Sequence, residues 1–267
     1  MPLSELQGIA LRSSDFAVRL EAMAFNPDRR TWTNDAGASM RGVRRADGQW
    51  LVRFAEGHPQ AWAELACIGA ADVRAGLVTN RPGDQSAVHD AALREANFLP
   101  GRYEQLWRIP VAGLPKVTFD TPHDFVPVDE LDLEAVARLD NAIRADIPGT
   151  ENWHGTAADL QETLDDPEFD SALYLVARHV ETGSLDGLIR VWNRAPAPRL
   201  GCIGVTRRWR RTRLAAALIR AVGVTLRERR VEEITTETDQ LNTHSYAMAA
   251  HHGGIKSGTL VEWTRLS

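Results

Sequence analysis

The chain has 267 residues, 43% hydrophobic and 25% charged, a composition that fits an ordinary soluble globular protein with one large or two medium domains. A net charge of −5 and a pI near 5.9 exclude general polyanion binding, so a basic cluster in this chain is a local device. Cys67 and Cys202 lie far apart in apolar surroundings and are expected to be buried free thiols of a reducing compartment, with no metal-ligand spacing anywhere. The N-terminus MPLSELQGIALRSSDF lacks a basic region followed by an apolar core, and no apolar run is long enough to span a membrane. A cytoplasmic protein with no membrane partner is expected.

In chain order, Phe16, Leu20 and Met23 predict a helix from Ser13 to Phe25. The stretch NPDRRTWTNDAGAS that follows has helix breakers and no period. Trp50 to Phe54 is a predicted strand, Ala61 to Ala71 a helix, and Arg74 to Thr79 a strand leaving through the turn Asn80 to Gly83. Asp84 to Phe98 is a predicted helix with Val88, Ala92 and Ala96 on one face. Leu99-Pro100-Gly101 breaks it, and Tyr103 to Val111 alternates as a strand.

Pro110, Pro115, Pro122 and Pro127 crowd the next stretch, and a domain boundary is placed near residue 115, giving units 1–115 and 116–267. Beyond it come a strand around Phe125 to Val128 and a helix from Asp132 to Arg144. An irregular loop (DIPGTENWHG) and a helix from Thr156 to Leu164 follow. Ser171 to Val180 and Leu185 to Trp192 read as a hairpin. Leu200 to Val205 is a strand, Leu214, Leu218, Val222 and Leu226 mark a helix, and Val231 to Thr236 is a strand. Asn242 to His252 is a short helix, and Ile255 to Arg265 closes the chain. The order is mixed α/β with one central βαβ crossover.

Between the strand and the helix lie Arg207, Arg208, Arg210, Arg211 and Arg213. A helix start presents unpaired N–H groups and a partial positive charge, so this turn suits a diphosphate, with the arginines as added donors. The residues here resemble the GNAT superfamily of N-acetyltransferases over about 120–267. The turn Arg210, Arg211, Thr212, Arg213, Leu214, Ala215 stands where that family carries R/Q-x-x-G-x-G/A. Asn242, Ser245, Met248 and Gly253 stand where it opens the next helix. The resemblance implies acetyl-CoA as co-substrate, without a metal. The fourth and fifth strands would splay around the pantetheine arm, which would bond to Ile203 and Val205. Gly204 would allow the bulge, and an N–H near Ile203 or Gly204 would meet the thioester carbonyl.

Two positions depart from the family pattern. Arg213 replaces the motif glycine, and Ala249 stands where a proton-donating tyrosine is frequent, with Tyr246 three residues earlier. The first half reads as a worn copy of the second, similar to tandem GNAT proteins of the mycothiol synthase type, with no cofactor turn of its own. An amine must lose a proton before attack, and the candidate carboxylates are Asp146, Glu151, Glu237 and Asp239. Glu237 and Asp239 are favoured as bases, although Asp239 reads equally as a helix cap and Glu237 as a solvated edge charge. Asp146, Glu151 and Trp153 are expected to line the acceptor pocket. The implied function is acetyl transfer to a small-molecule amine by a monomer or homodimer. The alternatives are a non-catalytic acyl-CoA-binding protein and, against the net charge, nucleic-acid binding.

Overall fold

The computed structural model describes residues 28–84, 87–150 and 152–265, so the helix expected over Ser13 to Phe25 and the candidate Glu151 lie outside the described residues. The first half contains β1 (Arg29–Thr33), β2 (Ser39–Arg44), β3 (Trp50–Phe54), α1 (Trp62–Val73), β4 (Leu77–Pro82), α2 (Ala87–Glu95) and β5 (Leu99–Pro110). The stretch that shows no period in sequence is the β1–β2 hairpin. Only Trp32 of β1 is buried, too little alternation to announce a strand, and Asn34 closes the turn by accepting from Ala38 N at 2.9 Å. Two further expectations shift. Arg74 is not the start of a strand but the left-handed cap of α1, at φ 50°. Leu99-Pro100-Gly101 follows the end of α2 as expected but already belongs to β5, and Val88 is exposed while Ala92 and Leu93 form the buried face of α2.

The second half contains β6 (His123–Pro127), α3 (Leu133–Arg144), α4 (Ala157–Leu164), β7 (Tyr174–His179), β8 (Leu185–Trp192) and β9 (Arg199–Val205). It continues with α5 (Leu214–Glu228), β10 (Glu233–Asp239), α6 (Thr243–His251) and β11 (Ile255–Arg265). Asp132 caps α3, and Thr156 with Asp159 forms a capping box on α4. β10 runs three residues beyond its expected end at Thr236, which carries Glu237 and Asp239 into the sheet.

The eleven strands of the described residues form one sheet in the order β1-β2-β3-β4-β11-β5-β10-β9-β8-β7-β6. The first half's closing strand β5 therefore lies against β10, and the second half's closing strand β11 lies against β4. β5 pairs antiparallel with β10 from Glu104↔Asp239 to Pro110↔Glu233, and with β11 on its other edge. Each half has one parallel contact, β3 with β4 and β9 with β10, joined by α1 and α5, and each covers two residue pairs only. The helices after β4 and β10 end alike. Asn97 at φ 60° and Gly253 at φ 75° turn the chain, and Phe98 N and Gly254 N donate to the carbonyls of Leu93 and Ala249, five residues back.

α1 and α2 cover one face of the first half, where Trp62, Leu65, Leu93 and Phe98 pack with Leu77 and Trp263. α5 and α6 cover the same face farther along, with Leu214, Leu218, Val222 and Leu226 against Trp107, Ile109 and Ile189. The opposite face is helix-covered over β7, β8 and β9, where Val136, Leu139 and Ile143 of α3 meet Tyr174, Val176, Leu188 and Cys202. Cys202 is buried as expected, but Cys67 is exposed, on the outer side of α1. Among the described residues, no helix is long and apolar enough to cross a membrane, and no group of three His, Cys, Asp or Glu side chains is arranged to hold a metal.

The stretch around residue 115 is docked onto the second half. Val111 and Leu114 are buried in the α5 core, His252 Nδ1 lies 3.2 Å from Gly113 O, and Arg227 donates to Pro115 O at 3.2 Å. A Cβ on Gly113 would lie 2.2 Å from the His252 carbonyl oxygen, a backbone atom with no freedom to move aside. Gly113→Ala is expected to lower stability by about 1–3 kcal/mol, the usual cost of overpacking, read as a lower urea midpoint with an unchanged slope.

Candidate active site

The site is built around the point where β9 and β10 part. They pair at Arg199↔Thr235 and Leu200↔Thr236 and at no later residue. From Gly201 onward the edge of β9 that faces β10 is therefore open, while its other edge stays bonded to β8 as far as Val205↔Gly187. The bulge that helps this parting is at Gly201, where β9 has one residue more than β8 between Cys202↔Arg190 and Leu200↔Val191. Gly204, expected to supply the bulge, has a different task. A Cβ there would lie 2.2 Å from Ile143 Cγ2, so the glycine lets α3 seat against β9. Ile203 and Val205 pack toward the α5 core.

The chain leaves β9 through a single 3₁₀ turn, Arg207–Trp209, anchored by the Trp209 ring at 4.5 Å from the His123 ring and 5.8 Å from that of His179. The left-handed residue of the turn is Arg211, at φ 62°, and this is the position where glycine would be least strained. Arg213, which occupies the motif glycine's place, has an ordinary φ of −86° and an exposed side chain that makes no capping bond to the helix. Thr212 Oγ1 accepts from Leu214 N at 3.2 Å, and the N–H groups of Ala215 and Ala216 have no acceptor within the helix.

Asp146, on the loop after α3, closes over this turn. It accepts from Arg207 Nε at 3.0 Å and Nη2 at 2.5 Å, and from Arg210 Nη2 at 2.5 Å. These hydrogen bonds hold its carboxyl well below the usual range. Asp146 was expected to line an acceptor pocket, but it is engaged with the arginine turn and is a poor proton acceptor. Trp153, farther along the loop, lies under the Arg144 guanidinium at 4.4 Å, which is itself bonded to Asp140 at 2.8 Å. The same loop reaches the first half through His154 N, which donates to Ala46 O at 3.2 Å. Gly149, Thr150 and Asn152 face Arg45, Asp47 and Glu262 across a polar recess of about 130 Å³.

On the helix-free face of β10, β5 and β11 the charged side chains pair closely. Glu237 takes Arg199 in a fork at 2.8–3.0 Å. Asp239 accepts from Arg102 Nε at 2.7 Å and from Leu241 N at 2.7 Å, so it fastens the turn after β10 rather than capping the helix that follows. Glu262 meets Arg45 at 2.9 Å. Glu104 of β5 stands opposite Asp239 and within 3.0 Å of Arg102, with its side chain 17% exposed. Burial, with Glu237 and Glu262 nearby, pushes its carboxyl above the ordinary value. Sequence reasoning missed Glu104. The alternation of YEQLWRIPV places it on one face of a strand, but nothing local says that this strand lies beside β10.

Two expected site residues sit elsewhere. Asn242 caps α6, accepting from Ser245 N at 3.1 Å. Tyr246 packs edge-on against Trp107 at 4.8 Å, with Lys256 Nζ 5.0 Å from its ring, so its contacts are with β5 and β11 on the helix-covered face. Ala249 is fully buried, its carbonyl held by Gly254 N.

Because the folded state depresses the Asp146 pKa, the latch is intact above the ordinary carboxylate range and is lost only as pH falls below it. In a carboxyl-carbon NMR titration, Asp146 is expected to show no midpoint near the free-aspartate value of about 3.9. Replacing Arg207 and Arg210 with alanine should return the midpoint to that value. A normal midpoint in the unaltered protein would break the assignment.

No family model and no curated protein matches the chain. Solved structures do. A GCN5-related N-acetyltransferase from Sphaerobacter thermophilus superposes with a TM-score of 0.69 at 16% identity, over 95% of this chain and 85% of that one. A tandem GNAT protein from the clavulanic acid biosynthesis pathway gives 0.64 at 14% identity, over 91% of this chain and 84% of that one. A GCN5-related N-acetyltransferase from Kribbella flavida gives 0.58 at 14%, over 89% and 90%. At these identities the likeness is one of fold, and the fold of this chain is that of the GCN5-related N-acetyltransferases.

Proposed function

We propose that the chain transfers an acetyl group from acetyl-CoA to the amine of a small molecule by direct attack, as a cytoplasmic monomer or homodimer. The observation that carries this reading is the parted β9–β10 edge leading straight into an arginine turn and the bare first turn of α5. An extended pantetheine arm can bond to the open β9 edge at Ile203 and Val205 as an added strand would. The diphosphate then meets the N–H groups of Ala215 and Ala216, with Arg210, Arg211 and Arg213 on the rim. An N–H near Ile203 or Gly204 is placed to donate to the thioester carbonyl as charge builds on its oxygen. The acceptor enters over the helix-free face beside the recess between the α3–α4 loop and β11.

The chain is read as two related units meeting near residue 115, of which the second alone holds the coenzyme. The similar strand order, paired crossover helices and matching helix ends support this division. A second reading, acyl-CoA binding without transfer, draws support from Ala249 and from Tyr246 lying against Trp107, which together leave no tyrosine at the expected place.

Acetyl-CoA at a hundred times its Kd is expected to stabilise the fold by about 2.7 kcal/mol, raising the Tm by several degrees. A flat melting curve at millimolar acetyl-CoA would sink both readings. Arg210→Ala is expected to weaken binding by about 1.5–3 kcal/mol, the worth of a charge-assisted hydrogen bond. Release of CoA thiol across an amine panel separates the two readings, since binding without release leaves only the second.

A further inference from the structure

We propose that Glu104, a residue of the first half carried into the second by β5, is the group that takes the proton from the acceptor amine. The proposal rests on the acetyl-transfer reading above and adds the base that reading lacks. Three of the candidate carboxylates are saturated: Asp146 by Arg207 and Arg210, Glu237 by the fork from Arg199, and Asp239 by Arg102 and Leu241 N. Each would lose strong charge-assisted bonds on accepting a proton. Glu104 has one arginine contact, at 3.0 Å to a guanidinium already committed to Asp239 at 2.7 Å.

Its position fits the task. β10 leaves β9 after Thr236, so Glu237 to Asp239 flank the open gap. Glu104 is directly opposite Asp239 on the next strand, about 5 Å away across the sheet, and on the same helix-free face. The groups facing it are Arg102 on its own strand, Glu237 and Asp239 on β10, Glu262 on β11 and Arg199 on β9. Burial, with Glu237 and Glu262 nearby, outweighs the opposing pull of Arg102 and Arg199 and favours the protonated acid more than in an isolated glutamate. A carboxylate shifted in that direction accepts a proton more readily than an ordinary one, as a base in this step must.

The step balances without another reagent. The ammonium N–H bond breaks and its proton goes to the Glu104 carboxylate, directly or through one water. The freed nitrogen lone pair then forms the C–N bond to the thioester carbon, and the C–S bond breaks. The nitrogen's surplus proton leaves with the thiolate as the thiol, and Glu104 returns its own proton to solvent.

The test compares the unaltered protein with E104Q and E104D. E104Q is expected to lose about 100-fold or more in kcat/KM at neutral pH, within the range for a general base. Its Tm should still rise with acetyl-CoA as the parent's does, and the acid limb of its kcat/KM profile should vanish. E104D should keep that limb at a reduced rate, which a purely structural role would not produce. E104Q turning over at the parent rate with the parent pH profile overturns the proposal and leaves acetyl transfer standing. If E104Q fails to fold, a carboxyl-carbon titration of the parent decides. A Glu104 midpoint above about 4.3 supports the role, and one at or below it overturns it. Should the parent release no thiol with any amine, the transfer reading fails and the role of Glu104 fails with it.

Discussion

The placement of β5 between β10 and β11 is the constraint on which the rest depends. A strand buried on both edges must satisfy its backbone on both, and β5 does so only by giving one edge to each neighbour from the second half. β10 is then held along its β5 edge from Glu233 to Asp239, and its direction no longer depends on β9. That is what permits β9 and β10 to part after two pairs without the sheet coming undone. The opening is an edge that would otherwise be a liability, kept in shape by a strand from the other half.

The same placement sets the electrostatics. On the face without helices, period-two alternation brings Arg102 and Glu104 of β5 beside Glu237 and Asp239 of β10 and Glu262 of β11. The pairing leaves one carboxylate short of a full partner. Removing one member of a pair this close and partly sheltered costs more than breaking a surface ion pair, because the other is left charged and short of water. Arg102 in particular divides its bonds between Asp239 and Glu104. The arginine turn follows a similar logic in more open surroundings. Like charges on one short turn repel, and Asp146 relieves that repulsion from outside the turn while bringing the α3–α4 loop over it.

Local chemistry was legible in the sequence wherever a residue's role is set by its chain neighbours. The α5 stripe, the Thr156 cap and the arginine turn all depend on residues within a turn or two. The β1–β2 hairpin was not legible, because Trp32 is the one large buried side chain of β1 and its partners arrive from α1 and β3. Nor could the sequence show which carboxylates are held by arginines, so favouring Glu237 and Asp239 left Glu104 out. Glu237, Asp239 and Asp146 are distinguished from Glu104 by arginines 38, 137, 61 and 64 residues away in the chain. Nor does the sequence show where the turn needs positive φ: the left-handed residue is Arg211, not Arg213 in the motif glycine's place.

The first half carries a matching parallel contact, β3 with β4, which also ends after two pairs at Leu51↔Val78. Its gap is filled from within. Phe54 stacks on Trp62 at 4.8 Å, Trp62 stacks on His89 at 5.3 Å, and the Arg81 guanidinium covers the Trp62 ring at 5.1 Å. Trp62 is the first residue of α1 and is 1% exposed, the position held in α5 by Leu214 with bare N–H groups following it. Glu64 in the first turn of α1 adds a negative charge where α5 has none. The first turn of α1 thus carries a buried aromatic ring and a carboxylate, whereas that of α5 carries no acidic residue and follows a run of arginines. Two similar backbones therefore differ at the same place: in one the parted strands adjoin a packed aromatic cluster, and in the other β9 and β10 part beside an arginine turn.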